Sequence, residues 1–336
     1  MSITEKLESA RCGVVSKVGF DPYLYHAEMP LTAVYYPLGF PLELATNSKD
    51  VLDAASESWG FFRPQFDTPP LRLNIGVLED ESTACPSAPV PRSQLGLMVQ
   101  VADRSNFYVS DFSHGFMFGW IGTAARSHKG YLRYHFLESA ALFQIANRFT
   151  VAIHAGCVAL DGQGVLLCGE SGAGKSSLSF ACARAGWTYI TDDGSFLLRG
   201  RDDRLVTGNC HIVRFRPSAS ELFYEAVGQP ISPHASGKPS IEIQTSEIGG
   251  IAGAPSTNIS YLVFLNRSNA INQELIRYPK ESARRYVQKH LSDLEELRDR
   301  QITLVENLLE VECVELRYHD LNWAIERLEH LVREKI

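Results

Sequence analysis

Gly169-Glu170-Ser171-Gly172-Ala173-Gly174-Lys175-Ser176 sets the fold class, because this stretch matches the pattern G-x-x-x-x-G-K-[ST] in full. The apolar run Val165–Cys168 precedes it, and a helix is predicted over Ser176–Arg184. Glycines let successive backbone N–H groups turn toward phosphate oxygens without Cβ clashes, and the following helix directs its positive N-terminus at the anion. The sequence therefore predicts a phosphate-binding loop between a buried strand and a helix.

The residue types in this loop indicate a nucleoside triphosphate with Mg²⁺ as the ligand. Lys175 can reach the terminal phosphates as a point charge, and Ser176 offers a hydroxyl ligand to Mg²⁺. A chance glycine-rich turn is the alternative, which the flanking strand and helix disfavour. The residues that we expect to contact the nucleotide are Gly169, Glu170, Ser171, Gly172, Ala173, Gly174, Lys175, Ser176 and Ser177.

Two adjacent carboxylates, Asp192 and Asp193, follow the next predicted strand, Trp187–Thr191. In a sheet of this kind, the strand ends and the phosphate loop lie at one edge. One carboxylate, for which Asp192 is the candidate, could hold Mg²⁺ together with Ser176. The other, with Asp193 slightly favoured, could accept a proton from an attacking hydroxyl. The alternative is a solvated turn, because Asp-Asp-Gly-Ser is also a good turn sequence.

Six further side chains are candidates for the site. His154, one predicted hairpin before the loop, could keep an aspartate ionised, although a lone histidine in an apolar strand is more often a buried structural residue. Arg214 and Arg216 alternate along an apparent strand and could clamp phosphates or a substrate carboxylate, with an exposed strand edge as the equal alternative.

The other three candidates lie farther along the chain. Lys238 belongs to a glycine- and proline-containing loop that could cover the site as a lid or be an ordinary surface loop. Glu242 could act as an acidic metal ligand or face solvent from a strand. Arg267 follows an apolar strand and could point to the same edge of the sheet.

The chain is predicted to divide into an N-terminal α+β domain of unassigned role, 1–149, and an α/β domain around the loop, 150–336. The elements predicted in the first part are strands at Ala33–Leu44 (broken by Pro37 and Pro41), Leu71–Leu78, Leu95–Val101 and Asn106–Phe112, helices at Ser48–Trp59 and Tyr131–Phe149, and an exposed loop at Asp80–Ser93. Those in the second part are strands at Val151–Leu160, Val165–Cys168, Trp187–Thr191, Ser195–Arg199, Ile241–Gln244, Ile259–Leu265 and Val311–Tyr318, and helices at Ser176–Arg184, Lys280–Leu309 (with a break) and Leu321–Lys335.

Composition narrows the class of protein. The 336 residues carry a formal charge of −7, which argues against an extended nucleic-acid surface, since phosphate neutralisation needs clustered Lys and Arg. Seven scattered cysteines form no Cys-x-x-Cys pair, so neither zinc nor redox chemistry is indicated. Residues 1–13 lack the apolar stretch of a signal peptide, and no run is long and apolar enough to cross a membrane. We expect a cytoplasmic protein with neither nucleic acid nor membrane as a partner.

The order and spacing of His154-Ala155, the glycine-rich loop and Asp192-Asp193 resemble the catalytic domain of the HPr kinase/phosphorylase family. That family has a phosphate-loop fold related to phosphoenolpyruvate carboxykinase and transfers phosphate from ATP to a serine of a carrier protein. The resemblance implies an α/β kinase domain of this type, with one aspartate as general base, the other near the metal, and His154 in support.

The resemblance covers roughly Val151–Asp193, and two departures limit what it implies. The family's later signature, an acidic residue followed by Arg-Gly and a glycine-rich apolar segment, is not visible in 208–217. The N-terminal half also does not match that of the carrier-protein kinases. The sequence is more similar to divergent relatives, some of which phosphorylate serine on peptides or small molecules.

The leading hypothesis is an ATP- and Mg²⁺-dependent kinase that acts on a hydroxyl, most readily serine in a protein or peptide. A small-molecule hydroxyl acceptor, simple ATP hydrolysis and a catalytically silent ATP-binding sensor or scaffold are the alternatives. The two aspartates disfavour the sensor, because a pure binder has less need of a base. The sequence leaves open a homo-oligomer, which the resembled kinases form as rings.

Overall fold

A computed structural model of the protein describes residues 28–233, 239–268, 272–289, 291 and 295–334. These residues form a mixed α/β structure with sheets of seven, nine and three strands. Within these ranges, no helix has the length and apolar character needed to cross a membrane.

The strands are β1 Leu31–Tyr35, β2 Leu42–Thr46, β3 Leu71–Leu78, β4 Val90–Gln94, β5 Leu97–Val101, β6 Phe107–Asp111, β7 Phe116–Gly122, β8 Thr150–Leu160, β9 Gln163–Cys168, β10 Thr188–Thr191, β11 Gly194–Leu198, β12 Leu205–Thr207, β13 Ile212–Phe215, β14 Ile231–Pro233, β15 Pro239–Gln244, β16 Ala252–Gly253, β17 Ser256–Arg267, β18 Glu274–Arg277 and β19 Glu312–Tyr318. The helices are α1 Lys49–Trp59, α2 Thr123–Ser127, α3 Lys129–Tyr131, α4 Ser139–Arg148, α5 Lys175–Arg184, α6 Lys280–Gln288, α7 Glu295–Leu308 and α8 Leu321–Glu334.

The first sheet is built entirely from residues before 123, in the order β1-β2-β3-β7-β6-β5-β4. Strand β2 of this sheet alternates in burial: Leu42 and Leu44 are buried while Glu43 is exposed. Helix α1 covers this face with Val51, Ala55 and Trp59, which recur at helical spacing. The sheet and its helices share one apolar core.

The strands predicted at Leu71–Leu78, Leu95–Val101 and Asn106–Phe112 are confirmed, the last two with ends shifted by one or two residues. The helix predicted over Tyr131–Phe149 begins at Lys129 and passes through a π-helical segment, Leu132–Glu138, before α4. The predicted loop Asp80–Ser93 ends in the fully exposed edge strand β4. Ser48 precedes α1 as predicted, but its hydroxyl makes no capping hydrogen bond. Strand Ala33–Leu44 is interrupted at the prolines, as predicted, by a 3₁₀ turn at Pro37–Gly39.

The nine-stranded sheet contains a closed ring. Strand β9 lies between β8 and β17, pairing antiparallel with β8 and parallel with β17. At their N-terminal ends, β8 pairs with β11 and β17 pairs with β12. Strands β11 and β12 pair with each other, which closes the ring. Strands β10 and β16 extend the sheet on one side, and β19 and β18 on the other. Apolar clusters cover both faces, one beneath α6 and α7 and one beneath α5 and α8.

The predicted strands and helices of the second half are confirmed, with ends shifted by a few residues. The break predicted within Lys280–Leu309 falls between α6 and α7. The third sheet, β13-β15-β14, packs against α5 through a separate apolar cluster that includes Phe180, Phe215 and Phe223. Lys238 lies outside the described residues.

Candidate active site

The carboxyl ends of β9, β10, β17 and β19 lie at one edge of the nine-stranded sheet. Strand β9 is parallel to β17, and β17 is parallel to β19. Strand β10 runs the same way as β9, because both are antiparallel to β8. This edge therefore carries the glycine-rich loop after β9, the two aspartates after β10, Arg267 at the end of β17 and Tyr318 at the end of β19.

The glycine-rich loop has a backbone that favours glycine strongly at two positions. Gly172 and Gly174 have φ of 97° and 98°, a region that side chains with a Cβ rarely adopt. A Cβ at Gly174 would lie 2.6 Å from the Tyr318 hydroxyl oxygen. Helix α5 begins directly afterwards at Lys175, so the N–H groups of its first turn lack intrahelical acceptors. Backbone N–H groups at a helix start attract anions, so the loop has the features of an anion-binding site.

Lys175 is buried within this loop, with 5% of its surface exposed. Its ammonium donates to the carbonyl oxygens of Gly169 at 2.7 Å and of Glu170 at 3.3 Å. Burial lowers the pKa of Lys175, against the opposing charge of Asp193. The cation is therefore held at the loop by carbonyl oxygens, within reach of any phosphate that the loop binds.

The two aspartates occupy different environments. Asp192 is 7% exposed and accepts the backbone N–H of Arg214 at 3.1 Å. Burial, and then the charge of Asp193, raise the pKa of Asp192 to about 6. The Asp193 side chain is 58% exposed, and its Oδ1 lies 3.2 Å from Nδ1 of His154. The pairing of Gly194 with His154 across β11 and β8 places these two side chains together. Neighbouring carboxylates in unlike environments can divide metal binding and proton transfer between them.

The residues present fit Mg²⁺ bound together with a nucleotide. No group of three His, Cys, Asp or Glu among the described residues is arranged to hold a metal ion. Ser176 and Asp192 line the same cavity. Mg²⁺ usually takes only one or two protein oxygens in such sites, with phosphate oxygens and water completing the coordination.

Two arginines predicted as phosphate contacts lie beside the loop. Arg216 donates from Nη2 to the Ser171 hydroxyl at 2.7 Å, and Arg267 lines the same cavity. Strand β13 ends at Phe215, one residue before Arg216, which has extended backbone and precedes a 3₁₀ turn. Arg214 and Arg216 nevertheless line the same cavity, as their predicted alternation requires.

Arg214 and Glu242 instead belong to a partly buried ionic cluster. Arg214 donates to Glu242 at 2.9 Å and to Glu138 at 3.0 Å, while Arg133 donates to the other oxygen of Glu242 at 2.9 Å. Burial alone would raise the pKa of Glu242, but Arg214 and Arg133 outweigh it and hold the pKa at about 2. Tyr134 also donates to Glu242 at 2.9 Å.

The cluster changes the roles expected for both residues. Both oxygens of Glu242 are engaged and its side chain does not line the cavity, so the structure does not bring it to the metal position. Arg214 lines the cavity, but two carboxylates balance its charge. The Arg214 side chain donates to Glu138, from the first half of the chain, while its backbone N–H donates to Asp192. Arg214 therefore connects these two carboxylates.

A cavity of ≈ 630 Å³ adjoins the loop, and residues from the first half of the chain form part of its lining. Its polar side includes His154, Lys175, Asp193 and Arg216. The side contributed by the first half consists of Pro37, Leu38, Ser58, Trp59, Phe62, Glu138 and Leu142. No local signal in the sequence indicates this apolar wall, because most of its residues lie about a hundred positions before the loop and share no motif with it.

Comparisons with known proteins identify a structural neighbour. No protein-family model matches the chain, and a search of curated proteins finds no match. A solved structure that the chain resembles is the Hpr(Ser) kinase/phosphatase from Coxiella burnetii. The two share 16% sequence identity with a TM-score of 0.30, and the match covers 55% of this chain and 95% of that chain. This overall similarity is low.

Proposed function

We propose that the protein is an ATP- and Mg²⁺-dependent kinase that transfers the γ-phosphate to a hydroxyl group, with an HPr kinase-like P-loop domain over 150–336. One observation carries this proposal: the glycine-rich loop with Lys175 and the His154–Asp193 pair line a single cavity. A triphosphate site and a proton acceptor in one cavity are the two parts that phosphoryl transfer to a hydroxyl requires. The preceding half, 1–149, is proposed as a separate domain that covers the site.

In the proposed complex, the loop amides and Lys175 bind the β- and γ-phosphates. Ser176 and Asp192 ligate Mg²⁺, which neutralises charge on the same phosphates. Arg216 releases the Ser171 hydroxyl, to which it donates at 2.7 Å, and contacts a phosphate oxygen. Arg267 adds positive charge from the end of β17.

Asp193 is the proposed general base, because it lies in the open part of the cavity while Asp192 is buried. The acceptor oxygen forms a bond to the γ-phosphorus as its proton passes to the Asp193 carboxylate. The bond between the γ-phosphorus and the β–γ bridging oxygen breaks, and ADP leaves with that electron pair. His154 keeps Asp193 oriented toward the acceptor through the 3.2 Å contact.

The wall from the first half favours an acceptor that enters the cavity. Trp59 and Phe62 line the cavity and are buried, with 3% and 6% of their surface exposed. A serine on an extended peptide or a small hydroxyl compound with an apolar part suits a cavity with such a lining. A small-molecule kinase is therefore the second candidate function.

Asparagine substitution of each aspartate tests the proposal. Asp193→Asn should keep the affinity for Mg²⁺ and a non-hydrolysable ATP analogue within a few-fold, while turnover with serine peptides and small hydroxyl compounds falls by orders of magnitude. Normal turnover in both Asp192→Asn and Asp193→Asn would sink the mechanism. Tight nucleotide binding by the wild type without transfer to any acceptor, and without hydrolysis, would point to the sensor instead.

A further inference from the structure

The hydroxyl of Tyr286, on α6, contacts three backbone atoms at the base of the glycine-rich loop. It lies 2.6 Å from the carbonyl oxygen of His154 and 3.0 Å from that of Gly169. It also accepts the N–H of Gly169 at 2.9 Å. A residue 117 positions from the loop therefore joins the loop's first residue to the strand that carries His154.

A phenolic hydroxyl has one proton, so it can donate to only one of these two carbonyls at a time. The shorter distance assigns the proton to the His154 carbonyl. The Gly169 carbonyl has another donor in this state, since the Lys175 ammonium lies 2.7 Å away. Every one of these polar groups is therefore satisfied while Lys175 is turned toward the loop.

Binding of a triphosphate alters this arrangement. In the proposed nucleotide complex, Lys175 turns from the carbonyl of the buried Gly169 toward the phosphates. A buried carbonyl that loses its donor weakens the binding that displaced it. The Tyr286 proton is the replacement at hand, because its oxygen is already 3.0 Å from the Gly169 oxygen.

We propose that Tyr286 is a positioning residue that redirects its hydroxyl proton from the His154 carbonyl to the Gly169 carbonyl when Lys175 engages phosphate. No covalent bond changes; one O–H rotates between two acceptors. This inference rests on the proposed nucleotide site. It makes α6 part of the phosphate-binding machinery and couples loop occupancy to the backbone of His154, the residue that contacts Asp193.

Removal of this one hydroxyl gives a direct test. The Tyr286 ring packs edge-on against Phe264, at 5.5 Å between ring centroids, and this contact survives in Tyr286→Phe. Tyr286→Phe leaves the carbonyl of half-buried His154 without this donor before binding and the carbonyl of buried Gly169 without it afterwards, so the two losses partly offset each other. We expect the variant to bind the non-hydrolysable analogue AMP-PNP with Mg²⁺ about three- to fivefold more weakly by calorimetry. The matched control is Tyr278→Phe, which removes a hydroxyl from the ring stacked on the same Phe264 at 3.9 Å. The control should bind within about twofold of wild type.

Two results would overturn the inference. Tyr286→Phe could bind within twofold of wild type, or both variants could weaken binding equally, as general packing damage would. A wild-type protein that binds no nucleotide would overturn the proposed function itself, whereas wild-type binding with an unaffected Tyr286→Phe overturns only the role of Tyr286.

A second measurement on the wild type keeps the test valid if the variant does not fold. The ¹³C resonance of the His154 carbonyl should move upfield when AMP-PNP and Mg²⁺ bind, because that carbonyl loses its hydrogen bond. Labelling with [¹³C′]histidine and [¹⁵N]alanine restricts the signals to His-Ala pairs, of which His154-Ala155 is one. An unmoved or downfield-shifted resonance in the nucleotide complex would contradict the proton's redirection.

Discussion

Substitution of Asp192 by asparagine should stabilise the protein at high pH and have a smaller effect at low pH. Burial and the neighbouring Asp193 raise the pKa of Asp192 from 3.8 to about 6 in the folded protein. The folded state thus holds this proton more tightly than the unfolded chain does. The contribution of Asp192 to the free energy of unfolding is therefore fully present below about pH 4, where the carboxyl is protonated. It is lost as the pH rises to about 6.

The magnitude follows from the difference between the two pKa values. About two pKa units at about 1.36 kcal/mol each correspond to about 3 kcal/mol lost at pH 8, and to about 1 kcal/mol at pH 4.5. The amide oxygen of an asparagine at this position would still accept the Arg214 N–H without carrying a charge. Asp192→Asn should accordingly exceed wild type in free energy of unfolding by about 3 kcal/mol at pH 8 and about 1 kcal/mol at pH 4.5.

Urea unfolding followed by tryptophan fluorescence at the two pH values measures this difference. The matched control is Asp203→Asn, since the exposed Asp203 has its pKa lowered to about 2, chiefly by its hydrogen bond with Arg201. That variant should gain nothing at pH 8. A gain for Asp192→Asn that is equal at both pH values, or a loss at pH 8, would refute the assignment of Asp192 as a buried carboxylate whose charge destabilises the folded state.

Three other substitutions test separate parts of the site. Gly174→Ala places a Cβ at φ 98° and 2.6 Å from the Tyr318 hydroxyl, so calorimetry should detect no nucleotide binding by a folded protein; normal affinity would refute the steric account. Arg216→Ala should weaken nucleotide binding about tenfold through one lost charged hydrogen bond, with an unchanged melting temperature, and equal affinity would remove Arg216 from the phosphate site. Glu242→Gln removes one carboxylate partner from the partly buried Arg133 and Arg214, and should lower the free energy of unfolding by about 2–3 kcal/mol in urea. An unchanged free energy of unfolding would show that the cluster does not hold the two halves together.

Local patterns in the sequence predicted the elements that carry the site. The loop's glycines, its preceding apolar strand and the helix at Lys175 all lie close together in the sequence, and the structure confirms their order. Strand lengths and periodicity also placed β3 and β8 to within a residue. These features depend on backbone conformation and alternation, which neighbouring residues specify. The division of the chain at residue 149 stays a prediction.

Contacts between distant segments could not be predicted in the same way. Glu242 alternates with apolar neighbours like a solvent-facing residue, yet it binds Arg133 from the other half of the chain. Tyr286 lies in a charged helix whose pattern indicates only an exposed face, while its hydroxyl reaches Gly169. Such pairings follow from how sheets and helices are stacked, and a single sequence without such a structure does not specify them.

Binding of AMP-PNP with Mg²⁺, measured by titration calorimetry on wild type and Lys175→Ala, decides whether the glycine-rich loop is a nucleotide site. The Lys175 ammonium is held by two carbonyl oxygens of the loop, where an incoming phosphate would meet it. We predict binding by the wild type that requires Mg²⁺ and is lost in Lys175→Ala. Wild-type protein that binds neither this analogue nor GTP nor pyrophosphate, or a variant that binds as tightly as wild type, would contradict the proposed site.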